Sequence, residues 1–293
     1  MIIIDTFNNI LFWIAILVIL ITIYLTLIEP YWFKVKNLQL EFEDLPEEFD
    51  GFTITHLSDI HTRKNGLLEK KLVKLFNNLP ESDICLLTGD LVFDEKAIPI
   101  FLETIKHIKT KEGYYFISGN SEYKSYNNHL RLISTLSKIG GLKNLDNKNT
   151  KIFRGNIPIE LIGLDDVELK KADQTAAFKG TSKNNFKIVL IHCPSLTRAI
   201  VPYSPNLVLA GHTHGGQVRL PFINVVYTNI TYPEVTSDKA LNDGLFTHEK
   251  LSKILKKEIN KTTLLVSRGL GTSKLWIRFR CRPELHIITL KRK

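Results

Sequence analysis

Apolar residues follow two different regimes along this chain. From Thr6 to Ile28 no residue is charged, and Ile10 to Ile28 reads ILFWIAILVILITIYLTLI. Downstream, short apolar runs alternate with segments whose apolar residues recur three and four positions apart. The short runs, Phe52 to Leu57, Asp83 to Leu87, Tyr114 to Ile117, Phe186 to Ile191 and Leu207 to Ala210, have the length and composition of buried strands. Between the first three lie helical patterns at Leu67 to Leu79, Ala97 to Lys109 and His129 to Ile139. Strand alternating with helix predicts an α/β fold, a sheet covered by helices. Past Gly215 the pattern turns richer in strands, with Leu264 to Val266 and Leu285 to Leu290 as candidates. There is no internal repeat, so residues 51–293 are expected to form one catalytic domain.

The first regime has a separate meaning. A helix of roughly 20 apolar residues spans the ~30 Å hydrocarbon core of a bilayer, which makes residues 1–30 a transmembrane anchor. The main rival is a cleavable signal peptide, which needs a basic start and a small-residue cleavage site. Only Asp5 precedes the run, and Glu29-Pro30-Tyr31-Trp32 ends it. Tyr31 and Trp32 suit the membrane interface, while Lys34 and Lys36 on the C-terminal side place the large domain in the cytoplasm by the positive-inside rule. A bacterial cell membrane, crossed once, is the expected location. Residues 31–50, including the acidic stretch EFEDLPEEFDG, read as a connector.

Composition narrows the chemistry only a little. The 293 residues are 44% hydrophobic and 24% charged, which argues for an ordered globular chain rather than a disordered one. A net charge of +9 favours anionic partners, a lipid surface, a phosphorylated substrate or nucleic acid, and charge alone does not choose among them. The basic residues form no tract with interleaved aromatics apart from a short C-terminal stretch, so nucleic acid is not the expected partner. No obligate protein partner is indicated. Three cysteines, Cys85, Cys193 and Cys281, lie far apart without CxxC spacing, which indicates neither a disulfide framework nor a thiolate zinc site.

The chemistry lies at the ends of the five strand candidates. FTITHLS leads into Asp59 and His61, DICLLTG into Asp90, YYFISG into Asn120, FKIVLI into His192, and NLVLAG into His212-Thr213-His214. In α/β sheets ligands gather beyond the carboxyl ends of strands. One aspartate after a strand is usually a turn or a cap; five strands ending this way point to a single site. Carboxylate, imidazole and amide oxygen together suit borderline divalent ions such as Mn, Fe, Co, Ni or Zn. Two such ions can clamp a phosphoryl group and activate water. Asp90 is the natural bridging carboxylate, and Asp90, Asn120 and His212 are read as catalytic. Glycines at Gly89, Gly119 and Gly211 allow tight turns beneath the ions. Ser121, Glu122, Gly215 and Gly216 are expected to contact substrate.

These motifs, DIH, GD, GNSE, a histidine after an apolar strand and GHTHGG, resemble the calcineurin-like metallophosphoesterase family from about Phe52 to the end, GLDD at Gly163 to Asp166 and SRGLGT at Ser267 to Thr272 included. The resemblance implies a four-layer αββα sandwich of two mixed sheets flanked by helices. It also implies that Asp59, His61 and His214 hold one ion, Asn120, His192 and His212 the other, and that Asp90 bridges them. With its single N-terminal helix the chain is similar to the branch containing bacterial membrane-bound phosphodiesterases and a UDP-2,3-diacylglucosamine pyrophosphatase of lipid A synthesis, which implies a lipid-linked substrate and manganese as the first cofactor. A non-catalytic scaffold would be expected to have lost ligands, and all seven are present.

One position departs from the family pattern. Where the family has a histidine after Gly-Asn that protonates the leaving group, this chain has Ser121. General acid catalysis contributes ~10² to 10⁴ in rate. Its loss matters least for a leaving phosphate monoester, whose second pKa is about 6. The substrate is therefore expected to be a phosphoanhydride, unless Glu122, Tyr123, water on a metal or a residue elsewhere supplies the proton.

Overall fold

The computed structural model describes residues 2–63, 66–93, 95–124, 129–220, 240–273 and 275–293. Helix α1 covers Ile2–Ile23 and runs on through a wider turn at Tyr24–Ile28 and a tight one at Glu29–Tyr31. Phe12, Trp13, Leu17 and Leu20 on it are exposed, with no protein core to enter. Residues 6–31 contain an 18-residue window of mean hydropathy 2.8 and are long and apolar enough to cross a membrane.

Twelve strands follow among the described residues: β1 (Lys34–Phe42), β2 (Thr53–Leu57), β3 (Ile84–Thr88), β4 (Tyr114–Ile117), β5 (Lys143–Asn144), β6 (Lys148–Arg154), β7 (Ile157–Gly163), β8 (Lys187–Leu190), β9 (Leu207–Ala210), β10 (Gly244–Phe246), β11 (Thr263–Val266) and β12 (Glu284–Arg292). They form two six-stranded sheets, ordered β1-β12-β2-β3-β4-β5 and β10-β11-β9-β8-β7-β6. Strands β2 to β5 are mutually parallel, as are β7, β8, β9 and β11; β12 and β6 run antiparallel to their neighbours β2 and β7. Both sheets are therefore mixed.

The period of two along each strand builds the layers. Ile54, Ile84 and Leu86 of one sheet meet Ile188, Leu190 and Leu209 of the other in a shared core between the sheets. Cys85 and Leu87 point the opposite way, onto helices α2 (Leu67–Phe76), α3 (Ile98–Ile105) and α5 (His129–Gly140). Val189 and Val208 face Ile200, Leu251 and Leu255 on the far side of the second sheet. Helix, sheet, sheet, helix is the four-layer sandwich implied by the motifs. The strands carrying those motifs are buried on both faces, which is why they read as unbroken apolar runs.

Two expectations need correction. The connector at 31–50 contains β1, paired in parallel with the C-terminal strand from Lys34↔Glu284 to Phe42↔Arg292. Its alternation of charged and apolar residues fits an edge strand, and Lys36 forms an ion pair with Glu284 at 2.7 Å. The hairpin of β6 and β7 is also absent from the strand candidates, although Gly155-Asn156 between Arg154 and Ile157 is a two-residue turn with Gly155 at φ 57°. The segment Asn224 to Glu258, a mixture of basic and apolar residues that suits a substrate entrance, a membrane contact or plain surface alike, falls partly outside the described residues. Its later part is a helix at His248–Leu255 whose Leu251 and Leu255 are core.

Candidate metal centre

The carboxyl ends of β2, β3, β8 and β9, with the first residue of helix α4 (Asn120–Lys124), deliver all seven sequence-predicted ligands to one place. All seven are buried. The turns that do this are unusual. Asp59, His61, Asp90, His212 and His214 have φ of 50°, 49°, 53°, 69° and 51°. Left-handed backbone at a residue with a side chain costs about 1 kcal/mol or more and persists only where the surroundings enforce it. Here the loops hold one another: Asp59 N–H donates to Gly89 O at 3.0 Å, and His61 N–H to Asp90 O at 2.9 Å. The packing leaves no room for side chains at the turn glycines. A Cβ on Gly211 would sit 1.8 Å from Ser58 Oγ and 2.3 Å from Asp59 Oδ2.

The side-chain atoms sort into two groups around Asp90. His61 Nε2 lies 3.3 Å from Asp90 Oδ2 and 3.1 Å from His214 Nε2, which is itself 3.3 Å from Asp59 Oδ1. His192 Nε2 lies 3.5 Å from Asp90 Oδ1 and 3.2 Å from His212 Nδ1. The two oxygens of Asp90 thus face different imidazole pairs. Asp59, His61 and His214 could hold one cation; Asp59, Asp90 and His192 also offer atoms within 4.8 Å of one another. Asp59 Oδ1 and Asp90 Oδ2 are buried and accept no hydrogen bond. Leaving a buried carboxylate oxygen unsatisfied is expensive, and a cation removes that cost. The ring of His192 is oriented by its Nδ1, 2.7 Å from Thr88 O, which frees Nε2 for the centre.

Ionisation in the centre is mutual. Burial works against charge on Asp90, yet His192 and His61 hold its carboxyl well below the usual range. Burial also opposes a proton on His192, but Asp90 raises its pKa well above that of free imidazole. Burial and the neighbouring His61 push His214 well below it, so this ring keeps a free lone pair.

The expected substrate contacts fare differently. Ser121 borders the site, with its N–H donating to Asp90 Oδ1 at 2.8 Å and its Oγ 3.4 Å from His61 Nδ1. Glu122 does not face substrate. It is fully buried, and its carboxylate accepts the N–H groups of Asp90 (3.0 Å), Leu91 (2.6 Å), Val92 (3.3 Å) and Gly119 (2.8 Å), tying the Asp90 loop to the Asn120 loop. Tyr123 is also committed, donating to Asp165 Oδ2 at 2.5 Å. Gly215 and Gly216 are buried, and a Cβ on Gly215 would lie 2.7 Å from Arg268, 2.9 Å from Arg219 and 2.9 Å from Cys281.

One site residue escapes sequence reasoning. Glu168 Oε2 accepts from Asn120 Nδ2 at 2.6 Å, and its Oε1 lies 3.1 Å from His212 Nε2. This leaves Asn120 Oδ1 and His212 Nδ1 for the second group. Burial opposes ionisation of Glu168, but His212 and Asn120 outweigh it and bring its pKa to about 2. The residue stands shortly after GLDD in a loop without periodicity, so nothing local marks it.

Residues 52–216 match the family model described as calcineurin-like phosphoesterase. An uncharacterized metallophosphoesterase, YkuE of Bacillus subtilis, is 29% identical over 277 residues, which cover 92% of this chain and 89% of YkuE. Phosphodiesterase YaeI of Escherichia coli is 25% identical over 91% of this chain and 92% of its own. A zebrafish (Danio rerio) transmembrane protein with metallophosphoesterase domain is 30% identical over 63% of this chain and 45% of its own length.

Proposed function

Because this chain belongs to the calcineurin-like phosphoesterase family, whose members use a dinuclear metal site, we propose that it is a membrane-anchored phosphohydrolase working through two divalent cations. The observation that carries this reading is the division of Asp90 between two imidazole pairs, with buried carboxylate oxygens left unsatisfied. Asp59 Oδ1, His61 Nε2, His214 Nε2 and Asp90 Oδ2 would hold the first cation. Asn120 Oδ1, His192 Nε2, His212 Nδ1 and Asp90 Oδ1 would hold the second. Nitrogen and oxygen donors of this mix suit Mn, Fe, Co, Ni or Zn, and manganese is the first to test. When bound, such a pair offsets charge on the phosphoryl oxygens and makes water acidic enough to attack at neutral pH.

The chain's own groups then limit the leaving group. Serine at position 121 cannot protonate it at neutral pH. Glu122 is engaged by four backbone N–H groups, and Tyr123 donates to Asp165. No proton donor is offered at the position where the family has histidine. A phosphate monoester, with a second pKa of about 6, leaves without one. The finer reading is therefore hydrolysis of a phosphoanhydride in a lipid-linked nucleotide sugar, such as UDP-2,3-diacylglucosamine, in which water opens the P–O–P bond to give UMP and a lipid phosphate. The bacterial cell membrane, with the catalytic domain on the cytoplasmic side next to Lys34 and Lys36, completes that reading. A second reading, a membrane phosphodiesterase of broad specificity, has support from the phosphodiesterase named among the relatives.

The test is hydrolysis of UDP-2,3-diacylglucosamine and of bis-p-nitrophenyl phosphate, with and without Mn²⁺, by the full chain and by Asp90→Asn, with products identified by mass spectrometry. UMP release that needs both Mn²⁺ and Asp90 supports the first reading. Turnover of the diester alone supports the second. Catalysis by cation-free protein overturns both.

A further inference from the structure

A cavity of about 260 Å³ lies between the foot of the apolar helix and the metal centre. Its lining includes Pro30 and Tyr31 of the helix foot, His61 of the centre, the apolar Leu67, Leu68 and Trp276, and the charged Arg63 and Glu69. Two of its apolar lining residues are exposed, Trp276 at 66% and Leu67 at 45%, and Phe93, which packs on Arg63 of the lining, is 44% exposed. Grouped exposed apolar side chains on an otherwise polar surface mark a ligand groove or a membrane contact. The Arg63 guanidinium fixes the opening. It lies 4.3 Å from the Phe93 ring and 4.6 Å from the Trp276 ring, and donates to the carbonyls of Thr272 and Ser273 at 3.4 and 3.1 Å.

The helix foot is bolted to the centre. Arg278 N–H donates to Leu25 O at 3.1 Å, Cys281 N–H donates to the buried carboxylate of Glu29, and Arg282 lies 4.0 Å from the Trp32 ring. On the other side of the same segment, Cys281 Sγ is 3.2 Å from His214 O. A helix whose aromatic foot rests at the bilayer interface therefore holds the cavity mouth at that level. The cavity is smaller than the 300 to 1,000 Å³ typical of a site enclosing a whole ligand, so it fits one apolar arm of a larger molecule.

We propose that this cavity takes an apolar chain of a bilayer-resident phosphoester and presents its phosphoryl group to the centre from the membrane plane. The proposal rests on the phosphohydrolase reading and deepens it by assigning this cavity to the substrate's apolar chain. Neither Leu67 nor Trp276 belongs to the catalytic machinery, and both are exposed enough to be replaced without loss of the fold.

The experiment has two arms, both on the full chain in mixed micelles. In the first, kcat/KM with Mn²⁺ is measured for methyl and octyl p-nitrophenyl phosphate with wild type, Leu67→Asp and Trp276→Ala. The expected result is an octyl-to-methyl ratio at least tenfold lower in each variant, with the methyl ester turned over within twofold of wild type. An unchanged ratio, or equal loss on both esters, overturns the proposal. In the second, an octyl phosphate carrying a photoreactive diazirine at its tail is cross-linked and mapped. Labelling at 66–69 and 275–277 supports the cavity; labelling confined to the apolar helix overturns it and indicates a plain membrane contact. Because this arm needs no turnover, inactivity toward both esters would count against the phosphohydrolase reading alone.

Discussion

The side-chain amide of Asn120 donates to Glu168 at 2.6 Å across 48 positions of sequence. One carboxylate thereby fixes which end of the amide faces the centre, and its other oxygen sits 3.1 Å from His212 Nε2. Groups that orient metal ligands typically matter ten- to a hundredfold in affinity. Glu168→Gln is expected to weaken the second cation by about that factor while the first stays bound. Metal titration of purified protein checks this, and equal weakening of both cations would refute it.

Ser121→His restores a proton donor where the family keeps one. Alkyl phosphodiester hydrolysis should rise by about 10², whereas phosphoanhydride hydrolysis should change little, since its leaving group needs no proton. Parallel initial rates on both substrates decide the matter. Equal acceleration would overturn the phosphoanhydride reading.

Gly211→Ala places a methyl group 1.8 Å from Ser58 Oγ and 2.3 Å from Asp59 Oδ2. Neither neighbour can yield freely, because Ser58 donates to Asp59 Oδ2, which also accepts His212 N–H at 2.9 Å. The expected outcome is destabilisation of about 1 to 3 kcal/mol and loss of cation binding, read by thermal melting and by metal analysis.

Asp83 gives a pH dependence away from the centre. Burial raises the pKa of its carboxyl, but the hydrogen bonds from Thr53 and the Lys111 ammonium outweigh this and leave it lowered. Thr53 N–H lies at 2.7 Å, Lys111 at 3.0 Å and Arg154 of the second sheet at 3.2 Å. A folded-state pKa below the unfolded value of about 3.9 means that the ionised form stabilises above pH 4 and that this stability is lost as pH falls through the folded value. Asp83→Asn should therefore lower stability by about 2 kcal/mol at pH 7, with the difference shrinking below pH 4. Denaturant midpoints at pH 3, 5 and 7 measure it; a difference independent of pH would mean that charge plays no part.

Much of this protein is legible in one dimension. Strands buried on both faces must be apolar throughout, so five of them stand out, and a ligand-type residue after each marks a shared edge. The apolar helix is equally plain, because an uncharged run long enough to cross a bilayer stands out from the alternating patterns downstream. The edge strand β1 was harder to see, since its partner β12 lies some 250 positions away. What the sequence could not decide was where individual side chains point. Glu122 reads as a substrate contact but turns inward, because four backbone N–H groups there need an acceptor. Glu168 and the cavity beside Trp276 carry no local signal, because each is made by loops that meet only when the sheets pack. Candidate ligands are marked by residue type and strand ends; their orientation and second partners are set by contacts between distant segments, which only the tertiary structure supplies.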